Sequence, residues 1–410
     1  MANTTLTADI ITKEAVMILD NELVAAKKVF RGYEEDFTQS QNGYEPGDTV
    51  SFRVPTDFTV REGETMSTQD VVEGKRTVRV DKMRGIDFKF SSTDLTLSIK
   101  KLSERVIKPA MVQLANNIDM DVMELYKDIP SWVGTPGNKV ESYASYARPI
   151  ERMDEMANPT ADRCSILSPS DHWGLLGSQT SLYIQDAAKG AYRNGHLGKI
   201  GGVDTNMAQN VPTHVVGVAA GTPLVKGASQ NVAYETVKDT GQQTLSTDGW
   251  DASTNGILNK GDVFTIEGVF AVNPVTKATL PFLRQFVVKS NADSDGAGNA
   301  ELTISPAIVS EGAFKTVSAS PADNAVITVM GTGGQGYRQN ITFNKKAFAL
   351  TSVPLVAPPG AVQVSRQTYK GLSVRLIPVY DGGNDVSKWR LDVLFGTTTI
   401  DPRLAHRFSG

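Results

Sequence analysis

The chain has 410 residues, too many for one ordinary hydrophobic core, so two or three domains are expected. Its composition, 40% hydrophobic and 21% charged, is that of an ordinary soluble protein; 41 Lys and Arg against 45 Asp and Glu give a formal charge of −4 and no basic field for direct nucleic-acid binding. One cysteine, Cys164, excludes an intramolecular disulfide and fits a reducing cytosol; no apolar run of about 18 residues suggests a membrane span, and MANTTLTADIITKEAV lacks the basic and apolar regions of a secretory signal.

The first expected element is a helix over residues 9–31. Val16, Leu19, Leu23, Ala26 and Phe30 repeat at three-four spacing, Lys27, Lys28 and Arg31 suit its last turns, and Gly32 supplies a stop. Asp9, Glu14, Asp20 and Glu22 crowd its early part; a solvated polar face is the default reading and a docking strip for a basic partner the alternative. Val50, Phe52 and Val54 alternate with polar residues, as do Ile86, Phe88 and Phe90, and both stretches predict half-buried strands. The charged stretch between them is long for a loop inside a compact domain, which predicts a two-stranded arm projecting from the body. Such an arm is marginal alone in water and points to assembly with a neighbour.

Residues 91–127 predict a long amphipathic helix. Leu95, Ile99, Leu102 and Val106 share one face, and Ile107, Met111, Leu114, Ile118, Val122 and Leu125 continue it on a slightly rotated stripe. Ser91 to Asp94 offer capping oxygens, the full length would reach on the order of 50 Å, and Pro109 predicts a kink or short break. A modest helix is expected at 142–157, a short strand at Cys164, Ile166 and Leu167, and a helix from about Asp171 capped by Ser168 or Ser170. From about residue 218 to 339 the signals are β: VFTIEGVFAV, RQFVVKS, AELTISPAIV and NAVITVM, separated by Gly, Asn, Asp and Ser. They read as a small barrel or sandwich inserted into another domain, after which the strands GLSVRLIPVYD and WRLDVLFGTTTI resume.

Chemistry is sparse. Gly331 to Gly336 match G-x-G-x-x-G, but a dinucleotide site needs those glycines to open a helix, and the β-formers that follow predict a loop. Asp293-Ser-Asp295-Gly296 resembles the start of a calcium loop, yet Ile304 stands where the twelfth-position Glu belongs, so a hairpin turn is expected. His172, His196, His214 and His406 form no zinc spacing. Ser168 and Ser170 beside Asp171 and His172 lack a nucleophile elbow, and Cys164 reads as a packed small hydrophobe. No catalytic, cofactor-binding or metal-binding residue is assigned, and the chain is read as not an enzyme.

Four stretches in one order carry a resemblance: LTLSIKKLSERVIKPAMVQLANNIDMDVMELYKDIPSWVGTPG, LSPSDHWGLL, GKIGGVDTNMAQNVPTHVVG and SVRLIPVYDGGNDVSKWRLDVLFGTTTIDPRLAHRF. The chain resembles tailed-bacteriophage major capsid proteins, and within them the P-twenty-two-like podovirus coat proteins. That resemblance implies an α+β fold of the Hong Kong 97 type: an N-terminal arm at 1–45, an extended loop at 46–90 and a spine helix of the peripheral domain at 91–130. It further implies an axial domain at 131–217, an inserted β domain at 218–340 and return strands at 341–410. It also implies pentamers and hexamers of an icosahedral shell, a precursor assembled with scaffolding protein, a portal protein, non-specifically packaged double-stranded DNA, and no membrane. Synthesis would take place in the host bacterial cytoplasm and the final location would be the virion. On this reading Arg53, Arg61, Glu62, Glu64, Lys75 and Arg76 are expected to make intersubunit ion pairs. Asp9, Glu14, Asp20 and Glu22 are expected to meet a basic segment of scaffold. The rivals are another phage structural protein, such as a tail tube or decoration protein, and a dinucleotide-dependent enzyme using Gly331 to Gly336.

Overall fold

The structure, a computed structural model, describes residues 8–32, 48–61, 63–66, 68–91, 103–179, 197–358 and 364–410. These fall into two compact units, one from Met1–Ser51, Thr77–Met123 and Phe348–Thr398, the other from Phe52–Arg76, Glu124–Ala347 and Thr399–Gly410. The fold is α+β.

In the first unit the helix Ala8–Glu22 packs on the helix Lys108–Met123 and on the strands Ser365–Tyr369 and Leu372–Asp381. Ile11, Ala15, Val16 and Leu19 form its buried stripe, at the spacing an apolar helical face requires. The helix ends at Glu22, short of the expected residue 31. The cause is distant in sequence. The Asp119 carboxylate accepts the N–H of Val24 at 2.7 Å and of Ala26 at 2.9 Å, diverting donors that a continuing helix would use internally. Asp119 sits on the apolar stripe of the second helix, among buried Met111, Leu114, Ile118 and Val122. Burial pushes its carboxyl up, and the N–H groups of Ala26 and Val24 oppose that rise.

The irregularity expected at Pro109 lies in the turn before it, where Ser103–Ile107 form a π-helical segment leading into the helix at Lys108. Proline has no N–H to return to the carbonyl four residues back, and a π turn is one way of relieving that gap. Leu95, Ile99 and Leu102 of the expected stripe, and the cap at Ser91 to Asp94 beyond its first residue, lie outside the described residues. The unit's sheet has Phe348–Ser352, Val386–Thr399, Leu372–Asp381 and Ser365–Tyr369 in that order, with Lys82–Ser91 also antiparallel to Val386–Thr399. Phe88 lies opposite Trp389, and with Phe90 they form an aromatic cluster with centroids 5.4–5.9 Å apart.

Among the described residues the second unit holds two six-stranded sheets. One, mixed, runs Trp132–Val133, Ala405–Phe408, Asn340–Asn344, Arg163–Leu167, Val203–Met207 and Gly198–Ile200. Arg163–Leu167 and Asn340–Asn344 are buried at every position, and Cys164 is among those buried residues. The helices Tyr143–Glu155 and Pro169–Gln179 accompany this sheet; Ser142 and Ser145 make a reciprocal capping box at the first. At the second, Ser168 Oγ accepts the N–H of Asp171 at 3.3 Å, so the Ser-Asp-His run is a cap.

The other sheet runs Ile327–Val329, Val263–Val272, Thr279–Val288, Ala300–Ser305, Gln243–Trp250 and Gly221–Val225. Its two edges meet through a Leu224–Val326 bridge and the bond from Val225 N–H to Ala325 O at 3.0 Å, closing a six-stranded barrel. Phe264, Phe286, Trp250, Ile266 and Ile304 fill it. The chain enters and leaves by a ribbon of Thr213–Val215 against Gly336–Arg338. The glycine run is the turn into that ribbon, and no helix opens there. A Cβ on Gly333 would lie 2.0 Å from the carbonyl oxygen of Val218, so close backbone approach explains that glycine. Asp295 accepts from Ala297 N, Asn299 N and Asn299 Nδ2, each at 2.8 Å, closing a hairpin turn.

Candidate assembly surfaces

The charged loop is more irregular than a two-stranded arm. Thr49–Val54 pairs with Gly74–Arg79 at its base; beyond that, Gln69 closes the loop by donating Nε2 to Thr59 O at 2.6 Å and accepting Thr59 N–H and Oγ1 at 2.9 Å. Within its unit the base is tied to the barrel. Lys75 N–H donates to Asp239 Oδ1 at 2.9 Å, and Arg76 Nη1 donates to the carbonyls of Asp239 and Thr240, each at 2.8 Å. Gly74 permits this approach, since a Cβ there would lie 2.5 Å from Lys238 O.

Three of the six loop charges expected to pair between subunits, Arg53, Arg61 and Arg76, have partners for their side chains in the same chain. Arg53 pairs with Glu73 at 2.6 Å on an exposed surface, and Arg61 Nη1 donates to the carbonyls of Gly63 and Thr65. Lys75 and Glu64 side chains are exposed, and Glu62 lies outside the described residues. The loop also carries apolar side chains that form no periodic pattern in the sequence. Val60 is 95% exposed, Met66 80%, Val71 66% and Phe58 54%, an unusual display for one short segment.

On the first helix the acids divide. Asp9 accepts from Ser365 Oγ at 2.6 Å, Glu14 is half-buried, and Glu22 is exposed. Asp20 departs from the expected solvated face: it is 2% exposed and held by Lys370 Nζ at 3.0 Å and Arg31 Nη1 at 3.8 Å.

Several buried polar groups, none singled out by the sequence reading for these roles, fix the barrel on its unit. Arg407, fully buried, donates Nη1 to Gly261 O and Nη2 to Ile129 O, both at 2.8 Å, and lies over the Tyr126 and Trp132 rings. Burial pushes its guanidinium down to about 10, against the pull of the Asp262 and Asp128 carboxylates. Tyr126 Oη meets His214 Nδ1 at 3.0 Å, and His214 Nε2 meets Asp262 Oδ1 at 2.7 Å. Asp262 also accepts the N–H of Gly217 at 2.9 Å and of Asn259 at 2.6 Å. This buried chain joins ribbon to barrel, and its tyrosine is held too high to ionise in ordinary conditions, chiefly by burial. Asp128 is bound by Lys289 and by Thr399 Oγ1 at 2.8 Å; burial alone would raise its carboxyl, but Lys289 and Thr399 outweigh that and lower it. Asn340 knots the mixed sheet, accepting Ser168 N–H at 2.8 Å and donating to Asp171 Oδ2 at 2.9 Å.

Among the described residues no cluster of three or more His, Cys, Asp or Glu could hold a metal ion, and no helix is long and apolar enough to cross a membrane. What this chain presents is apolar surface and paired charge on a fixed base. A major capsid protein of Acyrthosiphon pisum secondary endosymbiont phage 1 is 22% identical over 380 residues, spanning 89% of each chain. A solved structure from Mycobacterium phage Che8 is 12% identical, covers 94% of this chain and 90% of its own, and superposes with a TM-score of 0.48. The CUS-3 coat protein I-domain is 26% identical over 27% of this chain and 96% of its own, with a TM-score of 0.19. The profile of the P22 coat protein family (P22 coat protein, gene protein 5) matches residues 1–410, and the chain belongs to that family.

Proposed function

We propose that this chain, a phage major capsid protein, tiles an icosahedral head shell around double-stranded DNA, with loop 52–76 as a principal contact between copies. One observation carries the choice of loop: four of its apolar side chains, Phe58, Val60, Met66 and Val71, stand more than half exposed in the lone chain. Covering one of them contributes roughly 1–3 kcal/mol, whereas an exposed pair such as Arg53–Glu73 contributes roughly 0–1 kcal/mol. The apolar residues thus dominate the proposed contact, and Arg53, Arg61, Glu62, Glu64, Lys75 and Arg76 set its register around them. Closed symmetry multiplies each small term over every copy in the shell.

The scaffold contact falls to Asp9, Glu14 and Glu22 on the first helix, because Asp20 is buried, with its carboxylate held by Lys370 and Arg31. Portal protein at one vertex and packaged DNA complete the partners; a formal charge of −4 keeps the DNA contact weak and non-specific. The test is the variant Phe58→Ser with Val60→Ser and Met66→Ser. Its unassembled form should unfold within about 0.5 kcal/mol of the parent, as exposed substitutions do, while sedimentation shows no shells. Normal shells from this variant would remove the loop from the interface.

A further inference from the structure

We propose that the cavity around Arg284 is a seat for an oxyanion, with inorganic phosphate as its simplest occupant; this goes beyond the assembly role and does not depend on it. The cavity, about 110 Å³, lies wholly within the second unit, between the loop base, the barrel and the C-terminal segment. It has room for a few waters, which is the size of a phosphate or a carboxylate and far short of a nucleotide. Arg76, Lys238, Lys277, Arg284, Lys315 and Arg403 line it against only Asp57 and Asp401.

Those two carboxylates are already engaged. Asp401 takes Arg403 Nε at 3.0 Å and Nη2 at 2.9 Å, and Asp57 takes Arg403 Nη1 at 3.3 Å. Lys277 Nζ, 4.0 Å from Asp57, is buried without a hydrogen bond. Arg284 is 7% exposed; its Nε has no partner and its Nη1 meets only the Met156 thioether at 3.9 Å. An unpaired guanidinium taken out of water is strongly unfavourable unless an anion joins it. Burial, with Arg403 and Arg152 nearby, pushes Arg284 down to about 10, and burial also lowers Lys277, as expected of cations awaiting a counter-charge. Ser305 and Tyr234 line the same space and can add hydroxyl donors, while the Thr316 hydroxyl is spent on the Ala307 carbonyl at 2.7 Å.

The experiment is phosphorus NMR of inorganic phosphate added to the unassembled full chain, with thermal unfolding in phosphate and in chloride at equal ionic strength. Phosphate stabilises proteins generally, so Arg284→Met and Lys277→Met are run beside the parent. The parent should broaden the phosphate resonance, and Arg284→Met should bind roughly tenfold or more weakly. In chloride, Arg284→Met should melt no lower than the parent, because it removes an unpaired charge; a merely structural arginine would give the reverse. No broadening by the parent, or equal broadening and equal phosphate stabilisation in all three proteins, overturns it. Should Arg284→Met fail to fold, the parent and Lys277→Met decide.

Discussion

Acid stability should depend on one histidine. His406 lies on the C-terminal strand, fully enclosed, with Nε2 3.2 Å from Asn158 Nδ2. Nε2 therefore accepts, and the ring is neutral. Burial, then the charges of Arg152, Arg284 and Arg163, depress its pKa from 6.5 to about 3. A folded-state pKa below the unfolded one gives stability that is complete above about pH 6.5 and lost as pH falls towards 3. Each pH unit in that window removes about 1.4 kcal/mol, so the fall from pH 7 to pH 5 should remove about 2 kcal/mol on account of this ring alone. His406→Gln keeps a hydrogen-bonding side chain of similar reach and cannot titrate. Urea unfolding of the unassembled protein at pH 7 and pH 5, followed by a probe in the second unit, should show the parent losing about 2 kcal/mol more than the variant over that interval. Equal losses would refute the buried, neutral assignment.

Two further substitutions test the packing. Arg407→Met should destabilise by roughly 2–4 kcal/mol, because it strands the buried carbonyls of Gly261 and Ile129; a denaturant midpoint unchanged from the parent would contradict this. Gly333→Ala should cost about 3 kcal/mol or more, since its Cβ meets the Val218 backbone at 2.0 Å. Gly334→Ala, at φ +73 with open space around it, should cost only about 1–2 kcal/mol. The reverse order in calorimetry would show that the backbone approach is misplaced.

What could be read from the chain was whatever repeats locally. The stripe Ile107, Met111, Leu114, Ile118 and Val122 is buried as its spacing predicts, and the barrel strands fall where turn residues punctuate short apolar runs. The cap at Ser168 and the rejection of a dinucleotide loop also followed from local chemistry. The misses are contacts between residues far apart in sequence, which leave no period. Asp119 ends the first helix from over ninety positions away, and Lys370 draws Asp20 inward from 350 positions away. An aspartate inside an apolar stripe was the available signal for the first; for the second there was none. The stripe also failed at its end, where Glu124–Asp128 tightens into a 3-10 turn and buries Tyr126, leaving Leu125 half-buried. On the loop, Phe58, Val60, Met66 and Val71 gave no signal, because isolated apolar residues in a polar stretch form no pattern.

The membership of this chain in a coat-protein family makes one observation decisive. Purified full-length protein, concentrated with a scaffolding protein and viewed by electron microscopy, should give closed spherical shells of uniform diameter. Open tubes, stacked rings or a lasting monomer under those conditions would contradict its role as the tile of a phage head.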